Sequence, residues 1–270
     1  MPKFCANLGF MFAEHPFIER FAAAAEAGFR AVEFPYPYDH NARELVEHLG
    51  AHDLDQVLIN APKGNAPGDH GLACDPDRRG EFEDSIGLAI DYARAMGTSR
   101  IHVMAGKQPE GTSADVVYET YVDNMRFAAR ALGEHGIKAL IEAVNSKIDV
   151  PGYFLDRPSD ALAILRRAEE PNLYLQFDFY HAQIMEGGLT RLFHDALPVT
   201  AHIQFADTPG RHEPGTGEIN YAYVFRMIDE AGWNDWVGCE YRPRTTTLDG
   251  LGWMKPYIRG ERLSDVPHRL

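Results

Sequence analysis

Four polar side chains stand at or near the ends of four short hydrophobic runs in the second half of the chain: Glu142 in KALIEAVN, Asp178 in LYLQFDFYH, Gln204 in VTAHIQFAD and Glu240 in WVGCEY. Charge in such a run is costly unless it is paired, hydrogen-bonded or bound to a cation. A single polar residue at a strand end often caps the strand or pairs with an arginine. Four of them, one per run, point to one shared site. Three carboxylates and one amide oxygen make a hard, all-oxygen ligand set, which suits Mg²⁺ or Mn²⁺ better than copper or a structural zinc. Such an ion would hold a substrate carbonyl oxygen and a neighbouring hydroxyl and polarise both. One glutamate would remove the proton beside the carbonyl to give an enediolate, and the other would return a proton at the adjacent carbon. Glu142 and Glu240 are therefore read as ligands and as a general acid/base pair, and Asp178 and Gln204 as ligands.

Further residues are candidates for holding the substrate. His181, three residues after Asp178, is placed to donate to a substrate oxygen or to orient Glu142. Arg211 and His212 follow the seventh run and Lys63 follows the third; each is a candidate anchor for a substrate carboxylate, which arginine can grip with two parallel hydrogen bonds. His102, in RIHVMAG, is either a barrel-interior histidine or part of the site. Glu33 is expected behind the site as a partner. Glu218 is expected either to cap the following helix or to orient Arg211. By strand alternation Tyr241 faces away from Glu240 and is structural.

The elements that would position these groups repeat along the chain. Strand-like runs at 4–9, 31–34, 56–62, 100–106, 138–145, 173–181, 199–207 and 236–243 are separated by mostly helical segments. Helices are expected over 16–27, 42–49, 81–96, 114–135, from a Ser159 or Asp160 cap to 170, over 182–197 and over 221–231. Residues 63–79 and RHEPGTGE read as loops over one rim. Eight alternating units favour an α/β fold of the (β/α)₈ TIM-barrel type, one catalytic domain over residues 1–260 with a loose tail at 261–270. No GxGxxG follows the first run, which argues against a doubly wound sheet. In a barrel the C-terminal strand ends share one rim, so Glu142, Asp178, Gln204 and Glu240, spaced by 36, 26 and 36 residues, converge from one side.

Composition narrows the partners. The chain has 270 residues and a formal charge of -14, which disfavours binding to nucleic acid or to an anionic membrane. No stretch approaches the roughly 18 apolar residues of a membrane span, and MPKFCANLGF carries no export-type apolar region. Cys5, Cys74 and Cys239 are odd in number and far apart. Cys5 and Cys239, in apolar runs, read as small core residues, and the set fits a reducing cytoplasm better than secretion.

The runs FCANLGFMF, RFAAAAEAGFRAVEFPYPYD, HVMAG, LIEAVNS with PGYF, FDFYHAQIMEG, HIQFADTPGRHEPGTGEINY and GCEYRPRTTTLDGLGW resemble the hydroxypyruvate isomerase family, within the group of sugar isomerases and epimerases related to xylose isomerase. The resemblance spans residues 3–259. It implies a barrel that interconverts hydroxypyruvate and tartronate semialdehyde without an organic cofactor, with the glutamates matching Glu142 and Glu240 as acid and base. Related epimerases hold their ion with Glu, Asp, His and Glu; Gln204 stands here in place of the histidine, and His181 and Arg211 fall near substrate-contact positions. A four-carbon 2-oxo acid (2-oxotetronate) isomerase shares almost every motif and is the alternative, with a ketose 3-epimerase beside it. From other classes, a non-catalytic sugar-acid-binding barrel keeps both glutamates without reason, and an abasic-site endonuclease has the wrong ligand balance. Barrels of this group often associate, so the resemblance also implies a homo-oligomer of unfixed size.

Overall fold

The computed structural model describes residues 1–258. The expected tail at 261–270 and the end of the domain at 260 lie outside the described residues. The strands are β1 (Lys3–Asn7), β2 (Ala31–Glu33), β3 (Asp55–Gln56), β4 (Ile59–Asn60), β5 (Arg100–His102), β6 (Lys138–Glu142), β7 (Leu173–Asp178), β8 (Thr200–Phe205) and β9 (Trp236–Cys239). They form one parallel sheet in the order β3-β2-β1-β9-β8-β7-β6-β5-β4. β3 and β4 are two pieces of the expected third strand, and this segment closes the barrel. The Val57 amide donates to the Val32 carbonyl on one side at 2.9 Å, and the Ala61 amide to the His102 carbonyl on the other at 2.8 Å. The nine strands thus make the eight staves that the sequence pattern predicts.

Helices α1 (Glu19–Glu26), α2 (Ala42–Ala51), α3 (Arg79–Met96), α4 (Ala114–Gly133), α5 (Pro158–Ala168), α6 (Phe179–Met185), α7 (Leu189–Ala196) and α8 (Tyr221–Glu230) surround the sheet. Two expectations fail here for local reasons. The helix expected over 182–197 is broken into α6 and α7, because Gly187 and Gly188 take φ of 69° and 59°, a left-handed turn that glycine adopts without steric cost. Neither Ser159 nor Asp160 caps α5. The cap is Arg157, without a side-chain bond, and Pro158 opens the helix, where its missing N–H is not needed. The Ser159 amide and hydroxyl instead donate to Glu186 Oε1 at 3.0 and 2.6 Å.

Strand alternation divides the core in two. Outward residues such as Phe4, Phe177, Phe205 and Cys239 pack against the helices, with edge-on aromatic contacts among Phe4, Phe205, Phe225 and Trp253. Inside the barrel, Cys5, Ala31, Leu58 and Leu140 form an apolar floor. Two residues further along their strands the same faces carry Asn7, Glu33 and Glu142, with His102, Gln176 and His202 alongside, all buried. The barrel interior is therefore apolar below and polar above, and the polar layer lies at the C-terminal rim. All three cysteines are free and buried. Among the described residues no helix is long and apolar enough to cross a membrane.

Candidate active site

β6 ends on Glu142 and β7 on Asp178, while Glu240 follows β9 and its amide donates to the Phe205 carbonyl at 3.1 Å. Glu142, Asp178, His181 and Glu240 each offer an atom, and these atoms lie within 4.8 Å of one another. Asp178 is also the N-cap of α6. Its Oδ1 accepts the Tyr180 amide at 2.8 Å, which leaves Oδ2 turned into the cluster with no protein partner. Glu142 Oε1 likewise has none. Burial, then the charges of Glu240 and Asp178, push the Glu142 carboxyl well above its ordinary range. Burial raises Glu240 to about 8, against the opposing pull of Arg211, and raises Asp178 to about 6. Glu142 and Asp178 are buried and each has an unpartnered oxygen, while Glu240 is half-buried with its oxygens on Asn7 and Arg211. Three carboxylates with too little positive charge between them fit a divalent cation, which would supply the missing charge and the missing partners.

His181 belongs to the cluster by position, and its tautomer decides its role. Asn145 Oδ1 accepts the amides of Ile148 and Asp149, so Asn145 Nδ2 is a donor. That nitrogen lies 2.7 Å from His181 Nδ1, and the Asn145 backbone amide lies 3.2 Å from the same atom. Two donors facing Nδ1 make it the acceptor. Burial, with Arg211 and His102 nearby, holds the ring neutral by lowering its pKa well below the usual value. The proton therefore sits on Nε2, 3.5 Å from Asp178 Oδ2 and 3.9 Å from Glu142 Oε1. His181 presents an N–H to the site, which suits a donor to a substrate oxygen better than a ligand.

Gln204 pairs in register with Asp178 on one side and Gly238 on the other. Its Nε2 donates to Glu33 Oε1 at 2.7 Å, and its Oε1 accepts from Gln176 Nε2 at 2.5 Å. One lone pair of that oxygen is left for another partner. Glu33 is fully buried. Burial alone would raise its carboxyl, but His202, 2.7 Å away, and the hydrogen bonds from Gln204 and Asn7 hold it below the ordinary range. Asn7 Nδ2 donates to both Glu33 Oε1 and Glu240 Oε1, at 3.0 and 3.2 Å.

Arg211 is buried at 8% exposure and lies between the Phe10 and Tyr180 rings, 4.6 and 4.9 Å from their centroids. Its Nη2 binds Glu240 Oε2, and its Nη1 is 3.5 Å from Asp149 Oδ1. The loop that carries it is organised by Asp207, whose carboxylate accepts the amides of Thr208, Gly215, Thr216, Gly217 and Ile219. Of the other substrate-binding candidates, Lys63 and His212 lie outside the cluster and His102 borders it through Glu142. Lys63 is exposed on the rim, 5.5 Å from the Tyr36 ring centroid. His212 Nδ1 meets the Arg242 carbonyl at 2.7 Å and clips two rim loops together. His102 lies inside the barrel, its Nδ1 3.3 Å from Glu142 Oε2, and burial with His202 lowers its pKa to about 3, so it is a neutral neighbour. Glu218 neither caps α8, which Asn220 does, nor meets Arg211; it accepts from Gln183. Tyr241 is buried on the outer side near Phe205 and Trp253.

Sequence reasoning missed Asn7, His202, Asn145 and Asp149. Asn7 ends the first run as Glu33 ends the second, and His202 shares a strand face with Gln204, so the strand-end rule applied to neutral polar residues finds both. Asn145 and Asp149 lie in the loop after β6 and carry no such signal.

The sequence pattern of the xylose isomerase-like TIM barrel family matches residues 21–257. A curated 2-oxo-tetronate isomerase from Cupriavidus necator is 48% identical over 259 residues, covering 96% of this chain and 99% of its own length. A hydroxypyruvate isomerase from Escherichia coli is 45% identical over 258 residues, covering 95% of this chain and 100% of its own. The crystal structure of an AP endonuclease, family 2, from Brucella melitensis superposes with a TM-score of 0.92 at 45% identity, covering 95% of this chain and 99% of that one. The chain belongs to the xylose isomerase-like TIM-barrel family.

Proposed function

We propose that this member of the xylose isomerase-like TIM-barrel family is a metal-assisted isomerase of short hydroxylated 2-oxo acids, with 2-oxo-tetronate as its first substrate and hydroxypyruvate as its second. The observation that carries this reading is the convergence of Glu142, Asp178 and Glu240 on one rim within reach of the buried cation Arg211. The 48% and 45% identities to the 2-oxo-tetronate and hydroxypyruvate isomerases support the substrate class, and the order of its two members is the proposal's own. Both acids carry a 2-oxo group beside a hydroxylated C3, and they differ by one terminal CH₂OH.

A divalent cation held by Glu142, Asp178 and Glu240, with the Gln204 oxygen as a fourth ligand, would polarise the substrate oxygens and offset negative charge building on them. One of the two glutamates takes the proton from C3, and its electron pair moves to the C2–C3 bond as the C2 oxygen gains charge. The other glutamate delivers a proton to C2, and the hydroxyl proton passes from the C3 oxygen to the C2 oxygen, leaving the carbonyl at C3. His181 Nε2 donates to a substrate oxygen during this exchange. The substrate carboxylate competes with Glu240 for Arg211 Nη2, and Lys63 lies further out on the same rim. The proposed chemistry uses no organic cofactor. The endonuclease reading is opposed by the net charge of -14, since duplex DNA is held mainly through its phosphates.

The test is kcat/KM on 2-oxo-tetronate, hydroxypyruvate and a neutral ketose, each with and without Mg²⁺ or Mn²⁺, beside an abasic-duplex incision assay. Activity is expected on both acids and to require the ion. The acids should differ by about 10- to 200-fold, the usual worth of one small group in a pocket. A neutral ketose used best, or incision of the duplex, would overturn the reading.

Arg211→Ala separates two uses of that guanidinium. Because Arg211 holds Glu240, turnover on every substrate should fall. Because it also meets the carboxylate, the acids should lose a further 10- to 100-fold or so, the worth of a charged hydrogen bond. Equal losses on acid and ketose would leave Arg211 as a partner of Glu240 alone.

A further inference from the structure

We infer that Glu33 is the positioning residue of this site: a buried carboxylate that sets the orientation of Asn7 and Gln204 and through them aims Glu240 and the Gln204 carbonyl. The inference rests on the reading above only for which groups react.

Four groups converge on Glu33. His202 Nε2 and Gln204 Nε2 are each at 2.7 Å, Asn7 Nδ2 at 3.0 Å and Cys5 Sγ at 3.6 Å. An ionised carboxylate only accepts hydrogen bonds, so each facing group must present a proton. That requirement sets the Gln204 amide orientation and, together with the Gly9 amide, that of Asn7. Asn7 turns its nitrogen inward, gives one proton to Glu33 and the other to Glu240 Oε1, and its Oδ1 accepts the Gly9 amide at 3.0 Å. Gln204 turns its nitrogen to Glu33, so its oxygen must face the other way. With a neutral or apolar residue at 33, the Gln204 amide could flip and Asn7 would be held only by the Gly9 amide. A flipped Asn7 would set an oxygen against the Glu240 carboxylate, and a flipped Gln204 would remove the one ligand oxygen the amide offers.

The reach of Glu33 depends on a gap in the wall. Glu33 extends from β2 past β1 and β9 to β8, and Gly238 lies on its way. A Cβ at Gly238 would stand 2.4 Å from Glu33 Oε1 and 2.7 Å from Oε2. No side chain fits there while Glu33 keeps its place. Stability alone is a weak explanation for the arrangement, because a buried Glu–His pair seldom outperforms apolar packing, and the layer just below is apolar.

Gly238→Ala displaces the Glu33 carboxylate without removing any polar group, Asn7→Ala cuts the link to Glu240, and Glu33→Gln sets an amide among donors. For each variant we would measure the melting temperature, the Mn²⁺ dissociation constant by titration, and kcat and KM separately. Removing a residue that orients ligands typically costs about 10- to 100-fold in metal affinity or activity. The expected result is a folded protein with Mn²⁺ bound at least tenfold more weakly in Gly238→Ala and Glu33→Gln, and kcat reduced at least tenfold in all three, with KM within about threefold. Folded variants with wild-type Mn²⁺ affinity and kcat overturn the inference, as does a wild-type protein that binds no Mn²⁺. Should Gly238→Ala fail to fold, Asn7→Ala decides on kcat and Glu33→Gln on affinity. A wild type that binds Mn²⁺ but turns over neither acid defeats the proposed function instead, and the affinities still test Glu33.

Discussion

Glu142→Gln and Glu240→Gln are each expected to lower kcat by about 100- to 10,000-fold, the usual contribution of a positioned acid or base. Glutamine keeps the length and one oxygen of glutamate but cannot carry a proton between carbons. Following the substrate C3 proton in deuterated solvent separates the two roles. Losing the base should abolish exchange and turnover together. Losing the acid should leave slow exchange at C3 while blocking delivery to C2. Full exchange and full turnover in either variant would end the paired account. The direction of the stability change provides a second reading. Both glutamates are raised by burial in a cluster of like charge, so removing one charge from the metal-free protein should raise its melting temperature while activity collapses. That opposition is expected where function maintains a strained site, and simple unfolding cannot produce it.

The strand-end rule carries most of this site because it rests on two constraints visible in the residues. Strand alternation fixes which side chains enter the barrel, and burial makes every polar one among them demand a partner. Glu33, His102, Glu142, Asp178, Gln204 and Glu240 were all legible that way, and so was the barrel, from the repeat of runs and helices. What stayed hidden depends on contacts between distant segments. Nothing around Arg211 in HIQFADTPGRHEPG says that Glu240 already holds its Nη2, or that Asp149 sits on its other side. The His181 tautomer follows from Asn145, 36 residues earlier. The break in the helix after Asp178 was legible in Gly187 and Gly188 but is outweighed, in a periodicity reading, by the apolar residues on either side. The third stave shows the same limit: QVLINAP reads as one strand, and only its hydrogen bonds to β2 on one side and β5 on the other show why it must bend.

Stripped of divalent ions, the protein should lose stability as the pH rises from about 6.5 to about 8, well above the values near 4 at which carboxyls titrate in the unfolded chain. In the folded chain Asp178 is raised to about 6 and Glu240 to about 8, with Glu142 also well above its ordinary value. Between the unfolded and folded values the native state binds more protons than the unfolded state, so stability falls with rising pH. The favourable contribution is complete below the unfolded values and is lost as pH passes upward through the folded ones. Glu33 and Asp69 are shifted the opposite way, so what they contribute is lost only as pH falls below about 4. His102 and His181 are lowered as well, so below the unfolded histidine value near 6.5 they make stability rise with pH and oppose the carboxyls, and the fall is expected above that value. A divalent ion should reverse the trend by replacing protons as the counter-charge. At a hundred times its dissociation constant it contributes about 2.7 kcal/mol, roughly 5–11 °C for a chain of this size. At equal ion concentration the gain should be larger at pH 8 than at pH 5, because at pH 5 the ion must displace bound protons. Thermal melts at pH 5, 6.5 and 8, with chelator and with Mn²⁺, measure all of this. A metal-free profile flat from pH 6.5 to 8, or an equal Mn²⁺ shift at pH 5 and 8, would mean that the three carboxylates do not share one cation. Glu240→Gln sharpens the test: it removes one raised carboxyl, so its metal-free melts should fall less between pH 6 and 8 than those of the wild type.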